Sequence, residues 1–214
     1  METKATEIPK SLRMPSLEGL ETSLLSKRFL GNVLGVHGPR LPRSKQITDG
    51  FVRLIEKTVI EYLHAREKLN AFLREGYADD LFRAQDHFES CVQSLHRAVL
   101  YFERLRQFGF RGPDGSPFIP RPRDLEVLRD PVKRQIRRFR DLIEHLDADI
   151  LAGLLPEHAD TAIHLGWESA RLSHSEIRYE DLARWIRQLH HYALLLSQVQ
   201  LVVSDPSQTE STTV

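Results

Sequence analysis

The sequence predicts an all-α protein organised as a four-helix bundle. Three observations predict it. Apolar residues recur at spacings of three and four along four long stretches. Breakers and capping residues fall at the ends of those stretches. Charged residues make up 28% of the chain while Gly and Pro number only 11 each, a composition suited to long amphipathic helices. With 214 residues and 41% hydrophobic content, the chain has the material for one core with tails.

Residues 1–46 read as a loosely ordered N-terminal arm. Pro15, Gly19, Gly31, Gly35, Gly38, Pro39 and Pro42 interrupt any long helix, although Leu24, Leu25, Phe29, Leu30, Val33 and Leu34 suit a short helix docked on the body. The bundle domain spans 47–203. Its first helix covers 48–75, with Val52, Ile55, Val59, Tyr62, Leu69 and Leu73 on one face and Gly76 as the residue that ends it. The second covers 79–108, capped by Asp79 or Asp80. Leu81, Phe88, Cys91, Leu95, Val99, Phe102 and Leu105 form its stripe, and Gly109 closes it. So short a turn between the two forces an antiparallel hairpin.

Residues 109–123 carry too many Gly and Pro for a helix, and a short helical turn is expected at 124–129. The third helix covers 131–155. Asp130 is its expected N-cap, Pro131 its first residue and Pro156 its stop. Ile136, Phe139, Leu142, Ile143, Leu146 and Ile150 form its apolar face. Residues 157–178 read as an irregular or hairpin insertion around Gly166. The last helix covers 179–202, with Leu182, Ile186, Leu189, Ala193, Leu196 and Val199 inward. Residues 204–214 form a polar, disordered tail.

Lys plus Arg and Asp plus Glu number 30 each, so no net field draws the whole molecule to nucleic acid or membrane, and any basic surface is local. Cys91 is the single cysteine, which excludes an intrachain disulfide or a cysteine zinc cage. Met1 to Lys10 is polar, and no apolar run approaches the roughly 20 residues of a membrane span. A cytoplasmic protein with no membrane association is the expectation.

The third helix concentrates the chemistry. Lys133, Arg134, Arg137, Arg138 and Arg140 form a basic cluster, to which the preceding loop adds Arg121 and Arg123. Together they suit a phosphate-binding groove. Four Arg-x(4–6)-His pairs occur: Arg140/His145, Arg138/His145, Arg184/His190 and Arg184/His191. Only Arg140 is followed by a polar residue, Asp141, whereas Phe139 and Trp185 follow the others.

Four helices with Arg140-Asp141-Leu142-Ile143-Glu144-His145 late in the third resemble the HEPN family (higher eukaryotes and prokaryotes nucleotide-binding domains). The resemblance covers 47–203 in architecture and these six residues in motif. It implies an RNA-binding protein, or a ribonuclease that cuts without metal or other cofactor, of the kind found in toxin and defence systems. It further implies a homodimer and an antitoxin-like partner protein. Its chemistry would be attack by the ribose 2′-OH on the adjacent phosphorus, with His145 handling protons, Arg140 gripping the phosphate and Asp141 orienting one of them. DNA lacks that nucleophile.

The same residues have a plainer reading. Arg137–Asp141, Arg140–Glu144 and Asp141–His145 are i,i+4 pairs that suit an exposed charge lattice. Residues 140 and 145 stand about 140° apart around an ideal helix, so they meet only through arginine reach, a bend or a partner chain. The alternative function is therefore a non-catalytic interaction or scaffold module that dimerises through its bundle. No metal site is expected. His190 and His191 have no carboxylate at i±3 or i±4, and Glu61, His64 and Glu67 are set aside as ligands.

Overall fold

The apolar spacing that marks the long helices is realised in a computed structural model that describes residues 12–33, 42–111, 117–153, 162–198 and 202–203. The described chain is mostly helical, with two small antiparallel sheets. Its helices are α1 (Leu24–Val33), α2 (Pro42–Glu75), α3 (Ala78–Arg106), α4 (Asp130–Leu151) and α5 (Tyr179–Gln198). Two 3-10 turns, Pro122–Asp124 and Glu126–Leu128, precede α4. None of the described helices is long and apolar enough to cross a membrane.

The α2–α3 hairpin forms the body. Val52, Ile55, Val59, Tyr62 and Leu69 of α2 pack against Phe88, Cys91, Leu95, Val99 and Phe102 of α3, all buried. Gly76 sits between them at φ +76, a conformation that glycine adopts without penalty. The expected cap is displaced: Tyr77 precedes α3 without a side-chain cap, and Asp79 and Asp80 fall in the first turn, where negative charge favours the helix dipole. At the far end of the hairpin Gly50 faces the Tyr101 ring, which occupies the space a β-carbon would need.

Residues 12–33 are packed rather than loose. Met14, Leu17 and Leu24 are buried in the core. The Tyr62 hydroxyl donates to the Pro15 carbonyl at 2.9 Å, and the Arg13 amide donates to the Trp167 carbonyl at 2.9 Å. Arg28 of α1 is fully buried, ion-paired with Asp49 and bonded to the Leu196 carbonyl at 2.6 Å. Pro42 does not interrupt a helix. It opens α2, where a missing N–H costs nothing.

Helix α4 begins one residue early, with Arg129 in the extended N-cap conformation and Pro131 in the first turn. It ends at Leu151, and Gly153 at φ +65 turns the chain. The expected stop at Pro156 and the tail at 204–214 lie outside the described residues, as does Val199. The last helix also ends earlier than its apolar pattern suggests. Val202–Val203 is a strand, β5, paired antiparallel with β1 (Phe110–Arg111) after α3. The insertion is a three-stranded antiparallel sheet: β2 (His164–Leu165), β3 (Ser169–Leu172) and β4 (Ser175–Arg178). Ala170, Leu172 and Ile177 are buried while Arg171, Glu176 and Arg178 stay exposed, the alternation of a sheet with one covered face.

Candidate functional site

Helix α4 lies on α3 through Ile136 and Phe139, both buried. The Phe139 ring meets Phe88 edge to face, with centres 6.1 Å apart, and Phe88 meets Tyr179 in the same manner at 6.0 Å. With that face fixed inward, Arg134, Arg138 and His145 fall within about 40° of one another on the outer side of the helix. The Gln135 amide reaches across to the Glu176 carbonyl at 2.7 Å and ties the helix to β4.

Between α4 and the β3–β4 turn runs an open groove of about 880 Å³. One wall carries Arg134, Arg137, Arg138, Asp141, Leu142 and His145, and the other His174, Ser175 and Glu176. Three guanidinium groups and two carboxylates therefore line the groove, with Asp141 on the arginine wall and Glu176 on the facing one. Asp141 is held by Arg137 at 3.5 Å and by Arg140 at 3.2 Å, and Glu176 accepts from the Ser169 hydroxyl at 2.5 Å. Arg134, Arg138 and His145 have no hydrogen bond or ion pair to any described residue.

His174 is raised to the groove by a two-residue turn in which Ser173 takes φ 52. The Leu172–Ser175 pairing makes this a hairpin turn of the primed kind, whose first central position favours glycine. The Ser173 hydroxyl and His174 Nδ1 are 3.0 Å apart.

Arg140 is not among the residues lining this groove. Its side chain is 21% exposed and folds along the helix to Glu144 and Asp141. Its Nε is buried with no hydrogen-bond partner among the described residues. The guanidinium stands close enough to buried His96 of α3 to help hold that imidazole below the ordinary histidine range; burial is the larger cause. Arg140 thus serves the α3–α4 side of the helix while His145 serves the groove. Lys133 also turns away. It pairs with Glu103 at 2.6 Å and Asp130 at 3.1 Å, and these bonds raise its pKa. Arg121 precedes the first 3-10 turn and Arg123 lies within it, both outside the groove lining, and Arg123 lies 3.7 Å from Asp124.

Two groups of residues escape a reading of the sequence alone. His174 is brought opposite His145 by strand pairing, which no local pattern announces. Glu61, His64 and His87 come together across the α2–α3 hairpin. For the first two a signal was present, since Glu61-Tyr62-Leu63-His64 is a Glu-x-x-His spacing.

In comparison with known proteins, the chain matches no family model, no curated protein and no solved structure.

Proposed function

We propose that this protein is a HEPN-like RNA-binding protein, its long helices α2 to α5 acting as a four-helix bundle that supports the α4 groove. The observation that carries this reading is the stripe of Arg134, Arg138 and His145 along one wall, none of which pairs with a described residue. Arginines that pair with no described residue and stand one turn apart along an open groove suit successive phosphates of a single strand.

The pair best placed for cleavage is Arg138/His145 rather than Arg140/His145. Both members line the groove, and the spacing still satisfies Arg-x(4–6)-His. In the reaction His145 accepts the 2′-OH proton and the 2′ oxygen attacks phosphorus. Arg138 offsets the charge of the phosphorane. The bond to the 5′ oxygen breaks, and His174 on the facing wall supplies the proton that leaving oxygen needs. A 2′,3′-cyclic phosphate results, and no metal takes part. Phe139 after Arg138 departs from the polar residue of the family pattern because α4 uses that position for the core.

The direct test is incubation of the protein with single-stranded RNA in EDTA. Cleavage abolished in Arg138→Ala and His145→Ala but retained in Arg140→Ala supports the assignment. An intact RNA substrate, or cutting unaffected by His145→Ala, removes it.

One observation favours the second reading, a module that assembles with a protein. Leu151 is 88% and Ile150 47% exposed at the end of α4, where Ile150 continues the apolar stripe past the core and Leu151 adds a second apolar side chain beside it. A second copy of the chain, or an antitoxin-like partner, is the proposed occupant. Sedimentation of the wild type against Leu151→Lys distinguishes a dimer held there from a monomer.

A further inference from the structure

Away from the α4 groove, three metal-ligating side chains converge on the α2–α3 hairpin. Glu61 and His64 stand three residues apart and share one face of α2. The tight turn at Gly76 folds α3 back so that His87 reaches the same place. Glu61 Oε2 lies 2.7 Å from His87 Nδ1. The rings of His64 and His87 meet edge-on, with centres 5.0 Å apart. One ligand atom from each of the three residues lies within 4.8 Å of the other two. A tetrahedral ion bound at about 2.0–2.2 Å by N and O donors spaces its ligands roughly 3.3–3.6 Å apart, a contraction of about an ångström from the widest spacing the set allows.

The environment is suited to an ion as well as the spacing. The Glu61 and His87 side chains are only 19% and 31% exposed and are held by the most extensively packed pair of helices. His64 is exposed and has no hydrogen bond or ion pair to any described residue. The Glu61–His87 hydrogen bond joins two of these groups, and the edge-on ring contact with His87 brings His64 beside them. Cys91, one turn along α3, is buried and lies outside the cluster of ligating groups.

We propose that Glu61, His64 and His87 bind a divalent transition-metal ion of the zinc class, with the fourth position open to solvent. Two imidazoles and one carboxylate match that class and not Mg²⁺ or Ca²⁺, which take oxygen donors. The bound ion would clamp α2 to α3 from the solvent side.

The full-length chain, stripped with chelator, is titrated with Zn²⁺ against a chromophoric competitor, and with Co²⁺ to read coordination from its visible absorption. The expected result is one ion per chain, a four-coordinate Co²⁺ spectrum and no competition from Mg²⁺. His64→Ala removes an exposed side chain without disturbing packing. It should weaken Zn²⁺ binding by more than the roughly 10–100-fold that loss of an outer-sphere partner costs. Glu61→Gln should do the same, while His191→Ala leaves binding unchanged. Binding that survives His64→Ala unaltered, or that falls equally in His191→Ala, overturns the site.

Discussion

Phe139 packs edge to face on Phe88, with ring centres 6.1 Å apart and planes at 69°, and this contact sets the rotation of α4 about its own axis. Everything the helix offers to solvent follows from it. With Phe139 inward, Arg138 and His145 face the groove and Arg140 is turned onto the flank beside α3. Phe139→Ala is expected to cost about 3–5 kcal/mol of stability, the transfer energy of the ring plus the cavity it leaves. Phe139→Leu keeps most of the volume and should cost less. Denaturant unfolding measures both. If α4 rotation controls the groove, Phe139→Ala weakens RNA binding even at temperatures where the variant remains folded.

The arginine stripe makes a separate prediction about salt. Each phosphate contact on a single strand contributes about 0.7 to the slope of log K against log salt concentration. Arg134→Ala/Arg138→Ala should lower that slope by about 1.4 and weaken binding to all sequences alike. Lys133→Ala should leave it nearly unchanged, because that ammonium already pairs with Glu103 and Asp130. Equal losses in the two variants would mean that the basic residues act through general charge rather than through the groove.

The turn that presents His174 is open to improvement. Ser173 holds φ 52, a region that costs an L-residue energy and glycine little. Ser173→Gly should leave stability unchanged or raise it, since relief of that strain opposes the added backbone entropy of the unfolded chain. Ser173→Val should destabilise the protein, because a β-branched side chain tolerates positive φ least. A thermal melt of the pair decides it. Similar melting temperatures for both would show that the turn is not under strain.

Gly50 sits inside α2, where glycine costs the helix up to about 1 kcal/mol relative to alanine. The Tyr101 ring explains its presence, lying where a β-carbon would stand. Gly50→Ala should therefore destabilise the fold by about 1–3 kcal/mol through overpacking, despite alanine's better propensity. In a Tyr101→Leu background the same substitution should become neutral or stabilising. Non-additivity of the two changes in a double-mutant cycle is the measurement.

These cases show what local pattern carries and what it does not. The stripes through Phe88, Phe139 and Leu189 are legible because burial on a helix repeats every three or four residues. Glycine at 76 and proline at 131 mark helix ends by backbone chemistry alone. The short helix from Leu24 is legible in its apolar residues, but Met14 and Leu17 are too sparse to form a stripe and Arg28 reads as a surface charge, so their burial is invisible before the tertiary structure. Val202–Val203 continues an apolar helical run, and only its pairing with Phe110–Arg111 makes it a strand. At the site, the polar residue after Arg140 favoured that arginine. Phe139 carried the opposing information, since a core residue beside Arg138 leaves Arg138, and not Arg140, on the side of His145. Contacts between distant segments, His174 with the groove and His87 with Glu61, have no sequence signal beyond the Glu-x-x-His spacing at 61–64.

His96 gives the fold a pH dependence whose sign follows from its surroundings. The imidazole is buried on α3, and its pKa lies below the ordinary histidine value of 6.5. Burial is the main cause, followed by the charge of Arg140 and, less strongly, Arg137; Asp141 and Glu144 act in opposition. An unfolded chain therefore binds a proton at this residue before the folded chain does. Between the depressed folded value and 6.5, unfolding takes up a proton, so stability falls as the pH drops and is fully present above that window. His96→Gln should flatten this part of the profile in urea unfolding measured from pH 7.5 downward. Arg140→Ala removes a nearby positive charge and leaves the two carboxylates to favour the imidazolium. It should flatten the same segment without altering the RNA salt slope, because Arg140 lies outside the groove. A steeper acid loss in Arg140→Ala would mean that its ion pairs with Asp141 and Glu144, rather than its field on His96, dominate its contribution to stability.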